Sequence, residues 1–210
     1  MLFESILFSV RLYGLTGAIG FFWNVMRHPT IQIFSLDLKK NRDDKRKLIN
    51  TELDLHLIKT EEEFERVLQD YSAVKGKSLS LEDRKKICSG KEYLGVIYHG
   101  RDFAGWGWVK KGPVTFGSNK LSETECAIVK CRTLRNHRRK RVYLTLMIKL
   151  QDTLEKLGYT KAYGCVIPFN KASLGGVCKA GFELLEECNR GSFLERLLRK
   201  ITGKPPRVQV

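Results

Sequence analysis

ECAIVKCRTL-RNHRRKR-VYLTLMIKLQDTLEKLG, residues 125–158, is the stretch whose reading decides the fold. Its first part, with Cys126, Ala127, Ile128, Val129 and Cys131, is a short apolar run with β-branched members, which predicts a buried strand. From Val142 the apolar residues recur at Leu146, Met147, Leu150, Leu154 and Leu157, a spacing of three and four that predicts a packed helix stopped by Gly158. Between the two lie Arg135, His137, Arg138, Arg139, Lys140 and Arg141. A helix N-terminus already presents four unpaired N–H donors and a positive dipole end. First turns ordinarily carry Asp or Glu, so cations stacked there are locally unfavourable. They predict an anion, most simply a phosphorylated ligand, seated on the turn.

Composition sets the outer limits. A chain of 210 residues is long enough for one self-supporting domain with extensions. Apolar and charged fractions are those of a folded protein, which excludes wholesale disorder. Thirty-eight basic against 23 acidic residues give a net charge of +15, which predicts polyanionic company. The six cysteines (88, 126, 131, 165, 178 and 188) are scattered without a C-x-x-C pair, so reduced structural thiols and no metal site are expected, with a cytoplasmic location.

Outward from the central stretch, Leu53–Ile58 (LDLHLI) alternates as the first strand of the core domain should. Thr60-x-x-Glu63 is a capping box for a helix carrying Phe64, Val67, Leu68 and Tyr71. Residues 91–110 form a hairpin about His99-Gly100-Arg101-Asp102, with Trp106 and Trp108 on one side of the sheet as core filling or as a wall for a substrate ring. Pro113–Ser118 reads as a loop. Downstream, Thr160–Ile167 predicts a strand, Asn170 the cap of a helix, and Glu183–Cys188 another strand. Thr30–Leu38 alternates as a strand, and Lys39–Lys47 is a solvated linker. Residues 1–29 form an apolar extension. Its longest uncharged run, Leu12–Met26, is too short to span a bilayer, so a helix packed on the domain or lying in a membrane interface is expected. Residues 191–210 predict a basic amphipathic helix and tail, leaving 30–190 as the domain.

Arg138 to Met147 resembles, in hydrophobic register, the R/Q-x-x-G-x-G/A cofactor signature of the GNAT superfamily of acyl-CoA-dependent N-acyltransferases. The likeness is to the subgroup in which tyrosine takes the last position, as in R-G-K-G-I-Y. Asn170-x-x-Ser173, followed by Lys179-Ala180-Gly181-Phe182, resembles the family's next element, and the likeness covers roughly 52–185. It implies an α/β (α+β) fold with a mixed, mostly antiparallel sheet flanked by helices, opening between the central strand and the strand before Asn170. Acetyl-CoA, or another acyl-CoA, would be held by Thr133, Leu134, Arg138, Arg139, Lys140, Arg141, Val142, Tyr143, Asn170 and Ser173. The implied base is Glu125, with Glu123 in reserve, and the implied oxyanion donor is a backbone N–H near Thr133.

The sequence departs from the signature in two respects. Arg139 and Arg141 stand at glycine positions. Glycine lets the backbone come close to phosphate oxygens, so a side chain there either blocks that approach or, since a first helical turn does not in itself need glycine, folds over the phosphates and adds charge-assisted bonds. Val177 replaces the tyrosine that serves many members as general acid. The partner implied is a small-molecule amine acceptor, with an amino sugar of surface polysaccharide as the guess. No nucleic acid is expected. Peripheral membrane contact through residues 1–27, at the inner face of a membrane, and a homodimer stay open. The competing readings are a nucleic-acid-binding protein using RNHRRKR and a non-catalytic membrane-associated protein of the same fold.

Overall fold

The computed structural model describes residues 30–39, 43–75 and 77–189, with positions 10, 15–17, 19 and 20 besides. The expectations for residues 1–29 and 191–210 therefore lie outside the described residues, apart from those few positions. Among the described residues no helix is long and apolar enough to cross a membrane.

Seven strands form one sheet in the order β2-β3-β4-β7-β8-β1-β9. These are β1 (Thr30–Asp37), β2 (Leu53–Ile58), β3 (Glu92–His99), β4 (Asp102–Lys111), β7 (Glu125–Thr133), β8 (Lys161–Val166) and β9 (Glu183–Asn189). Only β7 and β8 run parallel, so the sheet is mixed and mostly antiparallel. Strands β5 (Val114–Phe116) and β6 (Asn119–Leu121) make a separate small hairpin where a loop was expected.

The helices are a short turn α1 (Asp43–Arg46), then α2 (Glu61–Lys75), α3 (Lys77–Cys88), α4 (Val142–Lys156) and α5 (Lys171–Lys179). One sheet face packs α4 through Val142, Leu146, Met147, Leu150 and Leu154, and α5 through Val177. At about 1.5–3 kcal/mol for each large apolar side chain buried, the α4 stripe is a major stabiliser of this face. The other face packs Phe64, Val67 and Tyr71 of α2 and Ile87 of α3 over Trp106, Trp108 and Phe103.

Local signals account for most ends. Glu63 N–H donates to Thr60 Oγ1 (3.3 Å) and Thr60 N–H to Glu63 Oε2 (3.2 Å), the reciprocal capping box. Gly158, at φ +89°, closes α4: Tyr159 N–H reaches Leu154 O (3.1 Å) and Gly158 N–H reaches Glu155 O (2.9 Å). Tertiary context fixes what the local signals leave open. Leu53–Ile58 is an edge strand, whereas the earlier strand Thr30–Asp37 sits inside the sheet between β8 and β9. Helix α3 fills a stretch with no sequence-based assignment. Trp106 and Trp108, each 1% exposed, are core and form no wall for a ligand ring.

Candidate active site

The parallel register of β7 and β8 holds from Glu125↔Lys161 to Ile128↔Gly164 and stops there. Beyond it the strands splay. The cause is on the other edge of β7, where Trp108 pairs with Val129 but Trp106 pairs with Arg132. Lys130 and Cys131 thus stand against the single residue Gly107, a β-bulge with Lys130 at φ +53°. Gly107 is required there: a Cβ on it would lie 2.8 Å from Cys131 Sγ. Gly105 is required more strictly, since a Cβ would run into the Arg132 carbonyl oxygen. The pattern Gly-Trp-Gly-Trp is the sequence signal for this close approach, and sequence reasoning missed it.

The splay forms a narrow cleft of about 100 Å³ lined by Lys130, Cys131, Tyr143, Cys165, Asn170 and Ser173, among others. Its shape suits a slender chain rather than a ring system. The N-terminus of α4 stands over one mouth. The first i→i−4 bond of that helix runs from Thr145 N–H to Arg141 O (2.9 Å), so the amides of Arg141, Val142, Tyr143 and Leu144 have no acceptor within the helix. Asn50 fixes the turn from outside: its N–H donates to Thr145 Oγ1 (3.0 Å) and its Nδ2 to Lys140 O (3.3 Å). Asn170 Oδ1 accepts from Ser173 N–H (3.2 Å), capping α5 at the same mouth and leaving the side-chain amide donors for a ligand. These groups fit a phosphorylated cofactor with a linear arm.

The arginines correct the expectation drawn from sequence. Arg139 (φ +65°) and Arg141 (φ +60°) both hold the left-handed conformation, so the turn does use glycine-like backbone at the two glycine positions. The conformation costs an L-residue about 1–2 kcal/mol. Nor does Arg141 fold over the cleft. Its Nη1 points to Leu48 O (3.5 Å), and Arg139, Lys140 and Arg141 line a separate outer depression of about 550 Å³ with residues 49–52 and His99. Arg141→Gly is therefore expected to raise the melting temperature by about one to three degrees, because strain relief exceeds the added entropy of the unfolded chain. It should leave acetyl-CoA affinity within about threefold if amides are the grip; calorimetry on the variant checks both.

The remaining sequence-predicted residues fall in different places. Thr133 pairs with Gly105 at the end of β7. Leu134 spends its N–H on Ala104 O (2.9 Å) and its carbonyl on His137 N–H (3.0 Å), so its backbone is committed. Arg138 follows the 3-10 turn Arg135–His137 in extended conformation. Val142 is buried under the sheet. Tyr143 lies in the cleft against α5, where a Cβ on Gly176 would be 2.5 Å from its ring; burial pushes its phenol well above the ordinary value, so it stays protonated. Val177 is buried core and donates nothing.

Glu125 and Glu123 are not brought to the cleft. Glu125 opens the strand six residues before Cys131, about 20 Å along it. It lines another depression, of about 420 Å³, with Asp37, Lys161 and Glu183. Its Oε2 accepts from Ser122 N–H (2.8 Å) and its Oε1 from Tyr163 Oη–H (3.1 Å). Burial would raise its pKa, but those bonds outweigh burial and hold it below the usual value. Its stabilising contribution is then present above the unfolded value of about 4.3 and lost as pH falls through the lower folded value. Glu125→Gln should lower the melting temperature at neutral pH, with the deficit closing in acid, and should not alter acetyl-CoA binding. Glu123 is exposed in the preceding loop. Among the described residues none of the six cysteines forms a disulfide and no metal-binding cluster occurs.

No protein-family model and no curated protein matches the chain. Solved structures do. An acetyltransferase of the GNAT family from Colwellia psychrerythraea aligns with TM-score 0.54 at 11% identity over 82% of this chain and 60% of its own. AAC(6')-Iy in complex with the bisubstrate analogue CoA-S-monomethyl-acetylneamine aligns with TM-score 0.54 at 14% identity, over 64% of this chain and 92% of that one. A tandem GNAT protein from the clavulanic acid biosynthesis pathway aligns at 0.50 with 15% identity, over 76% of this chain; the chain spans about half of that protein's length. The fold is the GNAT fold.

Proposed function

We propose that the protein is an N-acyltransferase that moves an acyl group, acetyl in the simplest case, from coenzyme A to an amine. One observation carries this reading: the parallel pair β7–β8 opens at Ile128↔Gly164, beneath a helix N-terminus whose first amides are unpaired. The amides of Val142, Tyr143 and Leu144 would hold the diphosphate. Asn170 and Ser173 would orient the arm between the strands, and the bulge at Lys130 and Cys131 would keep the slot open. The thioester supplies an activated acyl carbon when bound. The chain's part is to align it beside the unpaired edge of β7 and to exclude water. Among the described residues no carboxylate lines the cleft; in this reading the amine's proton leaves to solvent at the cleft mouth rather than to Glu125. Tyr143, kept protonated by burial, is the phenol lining the cleft and can hold a proton for the departing sulfur in place of the missing tyrosine at Val177.

An amino sugar of surface polysaccharide is the acceptor class we favour among simple amines, on the weight of the apolar N-terminal sequence and the basic surplus. Calorimetric titration tests the reading. Acetyl-CoA should bind with micromolar affinity, and pantetheine without the nucleotide diphosphate should bind at least about a hundredfold more weakly. Absence of acetyl-CoA binding, together with steeply salt-dependent binding of random oligonucleotides, would favour the nucleic-acid alternative.

A further inference from the structure

The end of the cleft at Lys130 is a cationic mouth: Val129 beside it pairs with Trp108, over whose ring Lys75 and Lys86 stand. Lys130, exposed at the bulge, lines the cleft and feels the fields of Lys86, Glu92, Lys110 and Asp83. Behind it, Lys75 and Lys86 share one carboxylate, the buried Asp83. Their ammonium groups stand 5.8 and 5.2 Å from the centre of the Trp108 ring. Lys110 has Glu92 at 4.0 Å. Lys130 has no carboxylate within ion-pair distance among the described residues. The bulge gives it a left-handed backbone, at a cost glycine would avoid. Burial and the repulsion of Lys86 and Lys110 both disfavour its charge, so an anion there would relieve both.

We propose that this mouth is the acceptor site and that the acceptor is an amine carrying an anionic group, a phosphate or carboxylate, which Lys130 binds with Lys86 and Lys110 in support. The inference rests on the transferase reading and narrows it. A plain cationic amine, or a polycation of the neamine kind, would meet like charge at the point of entry, whereas an anionic substituent is drawn in by the same field. Phosphate and carboxylate share this chemistry, and the titration separates them.

The test uses the whole protein with and without saturating coenzyme A, at constant ionic strength. Inorganic phosphate, acetate, ethanolamine and phosphoethanolamine are titrated against wild type, Lys130→Met and Lys130→Arg by calorimetry. Phosphoethanolamine should bind more tightly than ethanolamine by at least about tenfold. That preference should disappear in Lys130→Met and survive in Lys130→Arg. The stronger of phosphate and acetate identifies the anionic group. Equal binding of the two amines in wild type, or a preference untouched by Lys130→Met, overturns the proposal. If coenzyme A binds normally in that case, the transferase reading survives and only the acceptor assignment falls; if coenzyme A fails to bind, it is the transferase reading that falls.

Discussion

Asp83→Ala is expected to lower the stability of the protein by about 3–5 kcal/mol, the usual cost of leaving buried charges without their partner. For a domain of this size that is a fall of about 10–15 °C in melting temperature. Asp83 is 1% exposed and gathers three donors: Tyr71 Oη–H at 2.7 Å, Lys75 Nζ and Lys86 Nζ. Lys75 in turn donates to Tyr71 Oη (3.0 Å), and its side chain is only 14% exposed. These contacts fasten α2 to α3 above Trp108. Burial alone would raise the Asp83 pKa, but the charge and hydrogen bonds of Lys75, aided by Lys86 and Tyr71, hold it below the usual value. A depressed carboxylate contributes stability above its unfolded value of about 3.9, and that contribution is lost as pH falls through the folded value. The gap between wild type and Asp83→Ala should therefore be full at neutral pH and shrink in acid. Thermal unfolding followed by circular dichroism at several pH values measures it; a gap that widened in acid would contradict the assignment.

The second large effect is expected at Gly105. Its hypothetical Cβ meets a backbone oxygen, that of Arg132, and no side-chain rotation relieves such a contact. Gly105→Ala must push β4 from β7 at the level where β7 has already parted from β8. Overpacking of this kind costs about 1–3 kcal/mol. The displaced segment carries the far wall of the cleft, so acetyl-CoA affinity should fall by at least about tenfold as well. Gly100→Ala is the control. It also has a positive φ, +60°, but a Cβ there meets nothing within 4 Å. It should cost stability without touching cofactor affinity. Equal losses of affinity in both variants would mean that the cleft is not built by the β4–β7 contact.

The parts of the molecule written in local pattern were legible in sequence. The α4 stripe, the Thr60–Glu63 capping box, the hairpin turning at Gly100 and the Asn170 cap each depend on residues within a few positions of one another. What was illegible depends on distant pairing. Nothing inside Thr30–Asp37 says that it inserts between β8 and β9, because the two partners that fix its place come more than a hundred residues later. Among the described side chains of α3 only Ile87 and Asp83 are buried, and one of the two is a carboxylate, so no apolar periodicity announces the helix. The candidate site divides in the same way. Val142, Tyr143, Asn170 and Ser173 were named through a resemblance in motif, and of these Tyr143, Asn170 and Ser173 line one cleft. The outward turn of Arg139, Lys140 and Arg141 follows from two left-handed residues that no periodicity reveals. Glu125 was implied as the base only by the resemblance, which puts that role on or near the central strand. Its distance from the bulge emerges only once β7 is seen to be closed at one end and open at the other.

Amide chemical shifts of a ¹⁵N-labelled sample titrated with coenzyme A would report on the diphosphate grip at the bonds involved. Large, saturable downfield shifts at the N–H protons of Val142, Tyr143 and Leu144, kept in Arg141→Gly, are what the open helix end predicts. Saturation with those three resonances unmoved, or shifts confined to the arginine side chains of the outer depression, would show that the phosphates are held elsewhere and that the turn serves another ligand.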